Sequence, residues 1–132
     1  MKIVHTSGKR KQAIARATLK PGKGKVRVNN QALDSLEPKL ARMKIREPLI
    51  LAGGIANKVD ISVDVSGGGQ MSQAEAVRLA IARALAEHSK DDKLEKVFLD
   101  YDRQLLVADV RRKEVNKPNR SKARAKRQKS YR

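Results

Sequence analysis

The stretch Asn57-Lys58-Val59-Asp60-Ile61-Ser62-Val63-Asp64-Val65-Ser66-Gly67-Gly68-Gly69-Gln70-Met71-Ser72 decides the fold class. Val59, Ile61, Val63 and Val65 alternate with Lys58, Asp60, Ser62 and Asp64, which is the period of a strand with one buried face. Three glycines break the strand, and an alanine-rich helical pattern follows. Ser72 and Glu75 have the S-x-x-E spacing of a capping box, so the helix is predicted from about Gln73 to His88. Its buried stripe is expected to be Ala74, Val77, Ile81, Ala84, Leu85 and His88, with Arg83 and Glu87 placed to pair across one turn.

Upstream, Gln12–Lys20 alternates with a small face of Ala13, Ala15, Ala17 and Leu19. Pro21-Gly22-Lys23-Gly24 has turn chemistry and Lys25–Asn29 alternates again, which predicts a hairpin between these two strands. Pro38 suits a first helical turn, and Leu36, Leu40 and Met43 fall at helical spacing. Pro48 is expected to end or restart that helix, and Gly53-Gly54 to stop the second piece. Downstream, Asp91-Asp92 fits a helix cap, with Leu94, Val97, Phe98 and Tyr101 facing in. Residues Gln104–Val110 suit either a helix end or a short strand. The pattern is α+β, a sheet with one face covered by helices.

Charge divides the chain more sharply than hydropathy. Its 132 residues hold 31 Lys plus Arg against 14 Asp plus Glu, a formal net charge of +17. Residues 1–27 hold nine basic residues and no acid, and residues 28–110 are nearly balanced. Residues 111–132 hold 11 basic residues and the single acid Glu114. The organisation expected is therefore a globular body over residues 1–110 and an extended basic tail over 111–132, disordered when free because it has little to bury. Self-repulsion on this scale points to a polyanionic partner, most often nucleic acid. Phe98, Tyr101 and Tyr131 are the only aromatics, too few for a base-stacking platform, so phosphates and shape are what such a chain reads.

Other classes find little support. Without cysteine there is no disulfide framework, and the commonest structural zinc ligand is missing. No apolar run reaches the roughly 20 residues of a membrane-spanning helix. His5 and His88 are isolated, no nucleophile and base stand together, and no cofactor or metal is expected. The Gly67-Gly68-Gly69 loop is not a Walker loop, since no G-x-x-x-x-G-K-[ST] is present. It serves equally as a phosphate contact at a helix N-terminus or as a tight turn that needs positive φ. Gly8-Lys9-Arg10-Lys11, with no acid before Asp34, favours phosphate contact over a plain charged strand end.

These motifs together resemble those of a known family. Gly67-Gly68-Gly69-x-x-Ser72-Gln73-x-x-Ala76, continuing through Ala80, Ala82, Arg83, Ala84 and Leu85, resembles the signature stretch of small-subunit ribosomal protein nine (the S-nine family). Gly8-Lys9-Arg10-Lys11-x-Ala13-x-Ala15-Arg16 resembles its opening strand, and Pro21-Gly22-x-Gly24 with Asn29 its hairpin. Lys122-Ala123-Arg124 and the closing Gln128-Lys129-Ser130-Tyr131-Arg132 resemble its C-terminal end, in the form of archaeal and eukaryal members, and the short length favours the archaeal type. Many members carry glycine where the tail leaves the body, whereas Asn116–Arg120 here has none.

The resemblance implies a two-layer α/β domain like the second domain of ribosomal protein S-five, with a left-handed βαβ crossover. It implies a place in the head of the cytoplasmic small subunit, a structural rather than enzymatic role in translation, and neighbouring head proteins as partners. Contacts with small-subunit ribosomal RNA are implied for Lys9, Arg10, Lys11, Arg16, Lys23, Lys25, Gly67, Gly68, Gly69, Arg111, Arg112, Lys113, Lys117, Arg120, Lys122 and Arg124. The tail end, Lys126, Arg127, Lys129, Ser130, Tyr131 and Arg132, would approach P-site tRNA, with no membrane involved. Two other classes compete. A kinase of the galactokinase–homoserine kinase type shares the topology, and nucleotide binding would reveal it. A general nucleic-acid chaperone would bind DNA and RNA alike.

Overall fold

A computed structural model describes residues 2–127 and 129–131. Five strands form one mixed sheet: β1 (Val4–Arg10), β2 (Ala13–Pro21), β3 (Val26–Val28), β4 (Gln31–Ala32) and β5 (Val59–Ser66). Three helices accompany it: α1 (Lys39–Ala52), α2 (Gln70–Ser89) and α3 (Asp92–Tyr101). The spatial order is β1-β2-β5-β3-β4, antiparallel except for β3 beside β5. The sheet-plus-helix class is thus α+β, as the hydropathy pattern requires.

The expected β2–β3 hairpin does not form, because β5 lies between those strands. The loop after β2 closes on the start of β5 instead: Gly22 N–H donates to Lys58 O at 2.9 Å and Gly24 N–H to Val59 O at 3.0 Å. Asp60 fastens the crossing, its Oδ1 accepting from the backbone N–H of Lys23 (2.9 Å) and Lys25 (3.0 Å). Those two bonds, from Lys25 first, hold the Asp60 carboxyl below its usual range. The true hairpin is β1–β2, joined by Lys11 and Gln12 with Lys11 at φ 53°. Asn29 splices β3 to β5 with its side chain, as Val65 N–H donates to its Oδ1 (2.9 Å) and its Nδ2 donates to Val65 O (3.1 Å).

The inward faces behave as the alternation demands. Ala13, Ala15, Ala17 and Leu19 of β2 and Val59, Ile61, Val63 and Val65 of β5 are all buried. Small side chains on β2 let α2 lie close over the sheet, and Gly8 on β1 marks the tightest approach. A Cβ there would collide with Ala76 O and sit 2.8 Å from Ala80 N. With the sheet, α1 and α3 packed around it, α2 is buried almost all round, including Ala76, Leu79, Ala80, Ala82 and Ala86 outside the expected stripe. His88 is only half-buried.

Three helix expectations are corrected. Pro48 neither ends nor restarts α1, which runs through it to Ala52 and stops at Gly53 (φ 60°). Proline costs one intrahelical bond, and burial of the Ala41, Ile45, Pro48 and Ala52 face offsets it, while Leu40 and Met43 point to solvent. The capping box is not made. Gly67 and Gly68 take φ 79° and 65°, Gly69 becomes the N-cap, and α2 starts at Gln70, three residues early. On α3 the Asp91 side chain does cap, accepting from Lys93 N–H, and Leu94 and Phe98 are buried, but Val97 and Tyr101 are exposed. After a helical turn at Arg103–Leu105, the chain has neither helix nor strand among the described residues.

Candidate nucleic-acid interface

The basic and glycine-rich motifs gather at the two ends of the sheet. At one end stand the close of β1 (Lys9, Arg10), the turn residue Lys11, the Gly67–Gly69 loop and the first turn of α2. Gly67 and Gly68 pack on the backbone of Gln12 and Ala13, so the Lys11 turn and the triplet are in contact. At the other end stand Lys20, Lys23 and Lys25 with Lys58, all exposed. Ala13 to Pro21 of β2 separate the two by about 26 Å at the usual strand rise.

No side chain caps the N-terminus of α2, so its first N–H groups and its positive dipole end face outward. Gln73 Nε2 ties the loop back by donating to Gly67 O at 3.1 Å. Both consecutive positive φ values favour glycine, so the tight-turn role of Gly67 and Gly68 is met whether or not an anion binds.

The cations differ in how free they are. Lys9, Lys11, Arg16, Lys23 and Lys25 are exposed, with Arg16 directly opposite Ser7 and Asp64 in the sheet register. Arg10 is not free. Its Nε donates to Glu75 Oε2 at 2.7 Å and its Nη1 lies 2.9 Å from Asp109 Oδ2. The acids that pair with Arg10 lie 65 and 99 positions away, so nothing in the sequence around it signals the pairing. Glu75 also accepts from Lys44 Nζ at 3.0 Å. Burial raises the Glu75 carboxyl, but the bonds from Lys44 and Arg10 outweigh it and hold it below the usual range.

Beside this cluster, Arg78 is buried on α2 and bridges Glu47 (2.6 Å) and Asp102 (3.0 Å). Arg83, expected to pair with Glu87, instead donates to Leu106 O (3.1 Å) and Ser7 O (3.0 Å). It thereby covers part of the β1 edge and holds the chain after the last helical turn. An arginine within an alanine-rich helix was the available signal for these roles.

In the C-terminal segment, Arg111 is paired with Asp109 and Arg124 with Glu114 (2.9 Å). Arg112, Lys113, Lys117, Arg120, Lys122, Lys126, Arg127, Lys129, Ser130 and Tyr131 are exposed, and Ala123 is buried. Gln128 and Arg132 lie outside the described residues. Among the described residues no group of His, Asp or Glu could hold a metal ion, and no helix is long and apolar enough to cross a membrane.

A small sheet-and-helix fold with cationic ends and a basic C-terminal segment has the make-up of a nucleic-acid-binding protein. Residues 8–132 match the family model described as ribosomal protein S9/S16. The chain belongs to that family. It is 52% identical over 134 residues to the small ribosomal subunit protein uS9 of Methanococcus vannielii, and 54% identical over 132 residues to that of Methanothrix thermoacetophila. Each alignment covers the whole of both chains.

Proposed function

We propose that this chain is a structural constituent of the small ribosomal subunit, seated in its head. Residues 1–110 dock on ribosomal RNA and residues 111–132 form a tail, disordered when free, that orders along RNA and ends beside P-site tRNA. The observation that carries the reading is the match of chain and relatives from end to end, basic C-terminal segment included. The β3–α1–β5 connection is the left-handed crossover of the S-five second-domain type on this view, and neighbouring head proteins adjoin the body.

Phosphate contacts fall to Lys9, Lys11, Arg16, Lys23 and Lys25, to the backbone of Gly67–Gly69, and to Arg112, Lys113, Lys117, Arg120 and Lys122. Arg10, Arg111 and Arg124 meet RNA only alongside the carboxylates they already hold. In the free protein, amides beyond about Lys113 are expected to be narrow and poorly dispersed by NMR. Protection of that segment from hydrogen exchange would count against a tail that orders on RNA.

The tip is tested by truncation. From Arg112 the tail can reach at most roughly 70 Å, so it can finish where the body never goes. Lys126, Arg127, Lys129, Ser130, Tyr131 and Arg132 are the tRNA-proximal group. Deleting Ser130–Arg132 is expected to leave incorporation into subunits intact and to weaken P-site tRNA binding modestly, read by filter binding beside sedimentation. Unchanged tRNA affinity with normal incorporation would remove the P-site role.

A further inference from the structure

The last stretch of body before the basic segment is held by side chains. Beyond Leu105 no helix or strand is described, yet the chain is fastened at Asp109. Its carboxylate is 8% exposed and accepts from the Arg111 backbone N–H at 3.0 Å and from Arg111 Nη2 at 2.8 Å. Arg111 Nε lies 3.1 and 3.0 Å from the two oxygens, and Gln104 Nε2 donates from 3.3 Å. On the inner side lies Arg10 Nη1, buried and without a well-aligned hydrogen bond, so charge at 2.9 Å joins it to Asp109. A series of alternating charges, Lys44–Glu75–Arg10–Asp109–Arg111, thus links α1, α2 and β1 to the first residue of the basic segment. The Asp109 carboxyl is held far below the usual range, first by the Arg111 side chain and backbone, and so stays charged throughout the physiological range.

We propose that Asp109 is a positioning residue, a clamp between Arg10 and Arg111 that fixes where and in which direction the basic tail leaves the body. The exit so fixed lies at the end of the sheet that holds Lys9, Lys11 and the Gly67–Gly69 loop, so body and tail can follow one continuous stretch of RNA. This role rests on the reading of residues 111–132 as an RNA-bound tail. With the clamp open, about five more residues, from Val107 to Arg111, join the mobile chain and must be ordered on binding.

The clamp makes a prediction opposite in sign to that of charge alone. Asp109→Asn removes one negative charge and releases the Arg111 guanidinium for phosphate, which by counterion release raises affinity for RNA of arbitrary sequence. Loss of the clamp lowers incorporation into reconstituted small subunits, by about tenfold for coupling of ordinary size. The experiment uses the full chain with Asp109→Asn and Arg111→Gln, the latter leaving the Arg10–Asp109 contact in place. Nitrogen-15 relaxation in wild type should show rigid backbone through Arg111. Rigidity should stop near Leu106 in Asp109→Asn and near Asp109 in Arg111→Gln, with exchange protection of β1, β2 and α2 unchanged and incorporation reduced in both. A mobility boundary that stays at Arg111 in both variants overturns the clamp. So does loosening in Asp109→Asn alone, which would mean that Asp109 acts through Arg10 on the body. A loosened root with normal incorporation keeps the clamp and overturns the tail reading beneath it.

Discussion

Affinity for isolated small-subunit ribosomal RNA is expected to fall roughly 10³–10⁵-fold between about 50 and 200 mM salt. That range corresponds to about six to ten phosphates neutralised, each releasing condensed counterions. The exposed cations are sufficient: Lys9, Lys11, Arg16, Lys23 and Lys25 on the body, and Arg112, Lys113, Lys117, Arg120 and Lys122 beyond it. Arg10, Arg111 and Arg124 add less, since each already faces a carboxylate of this chain. Removing residues 112–132 should flatten the salt dependence to the share of the body alone. A nearly flat dependence in the intact chain would mean that base edges or apolar contacts carry the binding.

Gly8→Ala is expected to destabilise the body by about 3 kcal/mol, at the upper end of the cost of overpacking. The added methyl meets backbone, Ala76 O and Ala80 N of α2, not a flexible side chain that could swing aside. Neither side can retreat cheaply. Gly8 is paired with Ala15 in the β1–β2 ladder, and α2 is packed against β1, β2 and α1. Thr6 fastens the same contact by donating its hydroxyl to Ala80 O at 2.8 Å. Urea unfolding of the variant should show a lower midpoint at an unchanged slope. An unchanged midpoint would show that strand and helix separate more easily than this packing implies.

What could be read from the sequence was whatever depends on near neighbours. Period-two alternation located β2 and β5 and named their inward faces. The small face of β2 announced close packing, and Asp91 announced a cap. What failed depended on distant partners. The pairing of β2 with β5 rather than β3 is fastened by Asp60, some 35 positions from the loop it grips. Pro48 reads as a helix breaker until the burial of its face is known. Ser72 and Glu75 have capping-box spacing, yet Arg10 and Lys44 claim the Glu75 carboxylate. For the candidate interface, the clusters of like charge were legible. Which cations were already spent on internal carboxylates was not, because those acids lie far away in sequence.

If both cationic ends hold ribosomal RNA, as proposed, their separation makes the two contacts electrostatically independent. At physiological ionic strength the Debye length is about 8 Å, roughly a third of the length of β2. Charge captured at the Lys11 end therefore does almost nothing to attract or repel RNA at the Lys23 end. Whatever the two ends hold is related by the stiffness of the sheet, in which β5 is hydrogen-bonded on both sides. On the proposed reading the body works as a strut that sets the distance between two RNA backbones, and it keeps that distance when salt has weakened its grip on either.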